Sequence, residues 1–149
     1  MKTTVLLLYL CWLSARSYAQ DKEAQFYKDQ LAEYNHWLSE SQISANLKLD
    51  SISYQPLGDT LVLTLHSGYR TLDSLSTAWN ALDEFLILDR RASLAEVLHQ
   101  QGAFLFDLAP QHLQFAVRGH HQQLYSEILY TDRVRFKPKG TMSGPPVVI

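Results

Sequence analysis

Apolar positions recur along this chain with two different periods, and the periods divide it into elements. Tyr27, Leu31, Tyr34 and Leu38 follow spacings of four, three and four, the rhythm of one helix face. Phe26 and Trp37 widen that face, while Lys22, Lys28, Asp29, Glu33 and Glu40 fall elsewhere, so an amphipathic helix is predicted over residues 22–41. Leu61, Leu63 and Leu65 alternate with Val62, Thr64 and His66, the period of two that marks a half-buried strand. With residues 47–55 this segment predicts a β-hairpin. Its turn is Gln55-Pro56-Leu57-Gly58-Asp59, where proline presets φ and glycine accepts a positive one. The first strand changes phase between Leu47 and Leu49 on one side and Ile52 and Tyr54 on the other. A β-bulge near Asp50-Ser51 is the expected cause.

The strongest helical stripe spans residues 72–88: Leu72, Leu75, Trp79, Leu82 and Leu86, joined by Phe85. Asp73 lies in its first turn, where the helix dipole favours a negative charge. Asp89-Arg90-Arg91 breaks the pattern. Ser93-x-x-Glu96 then reads as a capping box opening a second helix with Leu94, Val97, Leu98 and Leu105 on its face. Gly102 weakens the later part of that helix, and Pro110 lies just past its end. The short connection predicts an antiparallel αα-hairpin. Alternation returns at residues 112–118, with Leu113, Phe115 and Val117 against His112, Gln114 and Arg118, and again at 123–137. Gly119-His120-His121-Gln122 is short enough to join these strands as a hairpin. Residues 138–149, with three prolines and two glycines, read as a tail. The expected fold is α+β in the order α-ββ-αα-ββ, an antiparallel sheet with helices packed on one face, forming a single domain over residues 20–137.

The chain opens with Lys2, an apolar run from Val5 to Leu13, and small residues ending Ser17-Tyr18-Ala19. That is the layout of a secretory signal peptide, so residues 1–19 are expected to be removed and the mature chain to start at Gln20. The run is shorter than the roughly 20 apolar residues a bilayer span needs, so no integral membrane span is expected after cleavage. Export to the periplasm or the exterior of a bacterial cell is the expected localisation. The only cysteine, Cys11, lies within the apolar run, which continues past it. The mature chain would then be free of cysteine and would depend on its hydrophobic core rather than on disulfides.

Of 13 basic side chains, Lys2 and Arg16 lie in the leader, which leaves 11 against 15 acidic ones and a net charge of −4. A mature chain without basic excess is a poor match to phosphate backbones, and nucleic acid is not an expected partner. No G-x-S-x-G, H-E-x-x-H, P-loop or G-x-G-x-x-G motif is present, and no cofactor is expected. His112, His120, His121 and Asp107 have the donor types zinc uses. Adjacent turn histidines project apart, however, and a solvated turn is expected there. His36 and His99 are expected at the surface, and His66 on the outer face of its strand. Asp83-Glu84 is the only adjacent acidic pair and is expected to be a solvated helix face, since helical neighbours point about 100° apart.

Arg133, Arg135 and Lys137 would share one face of the last strand, with Arg118 on the neighbouring strand. This basic stripe is the candidate partner-binding feature; the competing reading is an edge strand charged against aggregation. These patterns point first to an exported, non-catalytic protein-interaction module of a bacterial envelope. Two alternatives stand beside it. One is a secreted enzyme or small-ligand binder built from scattered polar residues, which needs a pocket. The other is a binder of an anionic envelope polymer through the basic strand face.

Overall fold

The computed structural model describes the backbone of residues 2–120, 124–126 and 137–138, and the side chains of residue 16 and residues 18–120. Helix α1 runs from Lys2 to Glu40. Its core-facing stripe begins at Tyr27, because residues 18–26 are all exposed, Phe26 included. Tyr34 and Leu38 are completely buried, and the Tyr34 hydroxyl donates to the Leu98 carbonyl at 3.1 Å. That bond removes the cost of burying an unpaired hydroxyl. Gln42, with a left-handed φ of 61°, ends the helical path and admits the single turn α2 (Ile43–Asn46).

Strands β1 (Leu49–Leu57) and β2 (Thr60–Ser67) form the expected hairpin, closed through Gly58 at φ +65°. The register shifts between Leu49 and Ser51, which is the bulge that the phase change predicts. It brings Leu47, Ile52 and half-buried Tyr54 to the same core. Strand β3 (Leu113–Arg118) then pairs with β2. Short strands β4 (Leu124–Ser126) and β5 (Lys137–Pro138) extend the sheet in the order β1-β2-β3-β4-β5.

The sheet is mixed rather than antiparallel. β2 and β3 run parallel, with Leu61, Leu63 and Leu65 opposite Leu113, Phe115 and Val117. A parallel pair requires a crossover of a dozen residues or more, and residues 68–112 with their helices provide it. Period-two alternation is identical for either direction, so it left the polarity of this pair open. β4 and β5 take the ends of the segment expected as one strand over 123–137, and they pair antiparallel with each other.

Helices α3 (Leu72–Arg90) and α4 (Leu94–Leu105) lie in the crossover. Leu75, Trp79, Leu82 and Leu86 of α3 and Leu94 and Leu98 of α4 join the odd-numbered residues of β2 and β3 in one core cluster. Thr71 caps α3 by accepting from the Ser74 amide. The capping box of α4 is complete: the Ser93 hydroxyl accepts from the Glu96 amide at 3.2 Å, and the Glu96 carboxylate accepts from the Ser93 amide at 2.8 Å. Asp83 of α3 adds a third connection, accepting from the Leu94 amide at 2.6 Å. It is therefore a cap for the next helix and not a freely solvated carboxylate.

Candidate functional site

Two surface features gather chemistry. The first follows from strand alternation: residues of β2 and β3 that do not enter the core form the outer sheet face. His66 and Arg118 are register partners on that face, near the C-terminal ends of the two parallel strands. From β1, the Ser53 hydroxyl lies 2.9 Å from His66 Nε2. In open sheets the carboxyl ends of parallel strands are where ligands collect.

The loops that follow this pair are tied together. The Gly68 amide donates to the Lys48 carbonyl at 2.8 Å, and the Ser67 hydroxyl donates to the Leu47 carbonyl at 2.8 Å. The Lys48 ammonium sits 4.7 Å from the centre of the Tyr69 ring, and the His120 amide donates to the Tyr69 carbonyl at 2.8 Å. Asp50 lies beside this loop, since a Cβ placed on Gly68 would stand 3.6 Å from its Oδ1. Burial lowers the His66 pKa below the usual imidazole value, and the Arg118 charge lowers it further, while the Asp50 carboxylate pulls it back up.

A serine against an imidazole Nε2 suggests a nucleophile and its base, which also needs a third group to orient the other ring nitrogen. Among the described residues, no carboxylate is within ion-pair distance of His66. The pair also sits on an exposed strand face. The hydroxyl and the imidazole are placed to share one hydrogen bond beside the Arg118 charge.

Of the basic stripe, Arg118 is exposed on β3, an interior strand, so the edge-protection reading does not apply to it. Lys137 is on β5, separated from β3 by β4, and its backbone is in register with Ser126 and, through it, Ala116. Arg133 and Arg135 lie outside the described residues. The other histidines disperse. His112 is 3.6 Å from Asp59, and His36 is 3.4 Å from Glu40. His121 lies outside the described residues. His99 is buried rather than at the surface, with its ring 6.4 Å from that of Phe115. Among the described residues, no group of three metal-ligating side chains converges.

The second feature is apolar. Phe85 does not join the buried stripe of α3: it is 60% exposed, Ile87 is 47% exposed and Leu88 is 86% exposed. Phe85 and Leu88 are three residues apart on a helix, so they share one face. Periodicity misplaced Phe85 because an apolar stripe broad enough to include it is not covered on its outer flank by any of the described residues. No protein-family model matches the chain, and no curated protein and no solved structure is detectably similar to it.

Proposed function

We propose that this protein is an exported, non-catalytic interaction domain that receives a partner protein on the C-terminal end of α3. The observation that carries the reading is the exposure of Phe85, Ile87 and Leu88 at one end of one helix. Single apolar residues on a surface are ordinary, but neighbouring large ones usually mark a contact surface. Export is supported by the leader-like residues 1–19, and the expected cleavage point before Gln20 falls in the exposed stretch 18–26. Among the described residues, no helix is long and apolar enough to cross a membrane.

The test places a photo-crosslinking residue at Leu88 and, as a control, at exposed Asn80 of the same helix in producing cells. A discrete adduct from Leu88 that is absent from Asn80 and lost with Phe85→Ser is expected. Intact mass of the exported protein should show a lipid-free chain starting at Gln20. Equal or absent adducts at the two positions in folded, exported protein would remove the α3 surface, and retention of residues 1–19 would remove export by cleavage.

A further inference from the structure

We propose that Arg118, His66 and Ser53 form a binding site for a phosphoryl group at the end of the parallel β2–β3 pair. The site depends neither on export nor on the apolar end of α3. Its geometry rests on two observations. Parallel register makes His66 and Arg118 direct neighbours, and Ser53 reaches the same imidazole at 2.9 Å from the other side. Ser53 and Arg118 thus flank His66 from the two neighbouring strands on the outer face.

All three can donate hydrogen bonds. The guanidinium presents a planar fork that suits phosphate and carboxylate oxygens. Among the described residues, no carboxylate lies within ion-pair distance of it. Arg118 is therefore an exposed cation beside an imidazole and a hydroxyl, a combination whose chemistry suits an anion. Among the described residues, the nearby carboxylate is that of Asp50, which lies by the loop at Gly68 on the β1 side of His66. A tetrahedral group with several acceptor oxygens matches three neighbouring donors better than a carboxylate with two.

His66 makes the site responsive. While it is neutral, its Nε2 can accept from the Ser53 hydroxyl, and the serine proton is occupied. Once protonated, Nε2–H donates to Ser53 Oγ, and the serine proton becomes free for a phosphoryl oxygen. Among the described residues, the charged groups acting on His66 are Arg118 from β3 and Asp50 from β1. A bound dianion placed between His66 and Arg118 would offset the Arg118 charge and raise the pKa of His66. By linkage, the anion therefore binds more tightly to the protonated imidazole than to the neutral one.

The experiment follows the His66 imidazole by NMR against pH, with and without inorganic phosphate, using acetate at matched ionic strength as the control. Phosphate should raise the His66 pKa, and acetate should do so much less. Arg118→Gln should have two opposite effects: a higher pKa without phosphate, because a repelling charge is gone, and phosphate affinity weakened about tenfold or more. Ser53→Ala should weaken phosphate binding while leaving the Arg118 effect on the pKa in place. Phosphatidylcholine vesicles with and without phosphatidic acid distinguish the source. Arg118-dependent sedimentation with the phosphatidate vesicles identifies a lipid headgroup. Phosphate binding without sedimentation identifies a soluble or polymer-borne phosphomonoester. A His66 pKa that ignores phosphate, equal effects of acetate and phosphate, or wild-type phosphate binding by the folded Arg118→Gln variant would overturn the proposal.

Discussion

Replacing Gly102 with alanine sets helix propensity against packing, and the structure says which prevails. Gly102 lies within α4, where alanine is favoured over glycine by about 0.8–1.0 kcal/mol. A Cβ added there would stand 2.6 Å from Leu113 Cδ2, 3.5 Å from Phe115 Cζ and 3.7 Å from Tyr34 Cε2. Carbon atoms rest at about 3.5–4.0 Å, so the last two contacts are ordinary and the first is about 1 Å too short. Leu113 is itself buried between α4 and the sheet, so its methyl can yield only by displacing neighbours. Overpacking of this kind costs about 1–3 kcal/mol, which leaves Gly102→Ala destabilised by up to about 2 kcal/mol after the propensity gain. Urea denaturation followed by tryptophan fluorescence measures the change. Leu113→Ala alone should cost about 2–5 kcal/mol, and combining it with Gly102→Ala should recover at least about 0.5 kcal/mol of coupling. A stabilised Gly102→Ala with strictly additive double-mutant energies would refute the close approach of α4 to β3.

Other perturbations test other parts of the fold. Trp79→Ala empties the centre of the α3 stripe and should cost about 3–5 kcal/mol in the same melts; a loss under about 1 kcal/mol would mean Trp79 is not in the core. Asp83→Ala removes the acceptor for the Leu94 amide and should cost about 1–2 kcal/mol, whereas Asp83→Asn, which keeps an acceptor, should cost less. Hydrogen bonds from the Ser93 amide and hydroxyl hold the Glu96 carboxyl below its ordinary pKa, so their stabilisation is present above that ordinary value and is lost as pH falls through the folded one. Ser93→Ala should cost about 1 kcal/mol at neutral pH and partly flatten the acid limb of a stability–pH curve, since the amide bond to Glu96 remains; an unchanged limb would show that the Ser93 hydroxyl does not contribute to it.

Where local rules decide structure, the chain was readable. The capping box at Ser93 and Glu96, the turn at Gly58 and the bulge near Asp50 depend on residues within a few positions of each other, and each is present. What escaped depends on distant neighbours. The parallel pairing of β2 with β3 is set by the path of the crossover, which alternation does not encode. Asp83 became a cap because the turn after α3 returns Leu94 to it, eleven residues later. Phe85 was assigned to the core because it is apolar and flanks a good stripe, but exposure is decided by what covers that flank. Arg118 was legible as a surface cation, whereas its companions His66 and Ser53 were not. Their meeting requires the registers of β1, β2 and β3 together. The signal available beforehand was weak: a histidine and a serine at outward positions of two paired strands.

The exposed stretch of α1 from Tyr18 to Phe26 has a consequence for the helix that cleavage would leave behind. As an uncut chain, α1 begins at Lys2 and has no acidic residue in its first turn. Removal of residues 1–19 would move the helix terminus to Gln20 and place a new α-ammonium at the positive end of the dipole, an unfavourable match. Asp21 and Glu23 would then fall in the first turn, where their negative charges offset both that ammonium and the unpaired amides. Asp21 and Glu23, mid-helix in the uncut chain, become the terminus's counter-charges in the processed one. The seven residues from Gln20 to Phe26 would then form a solvated, self-neutralised lead into the first core contact at Tyr27.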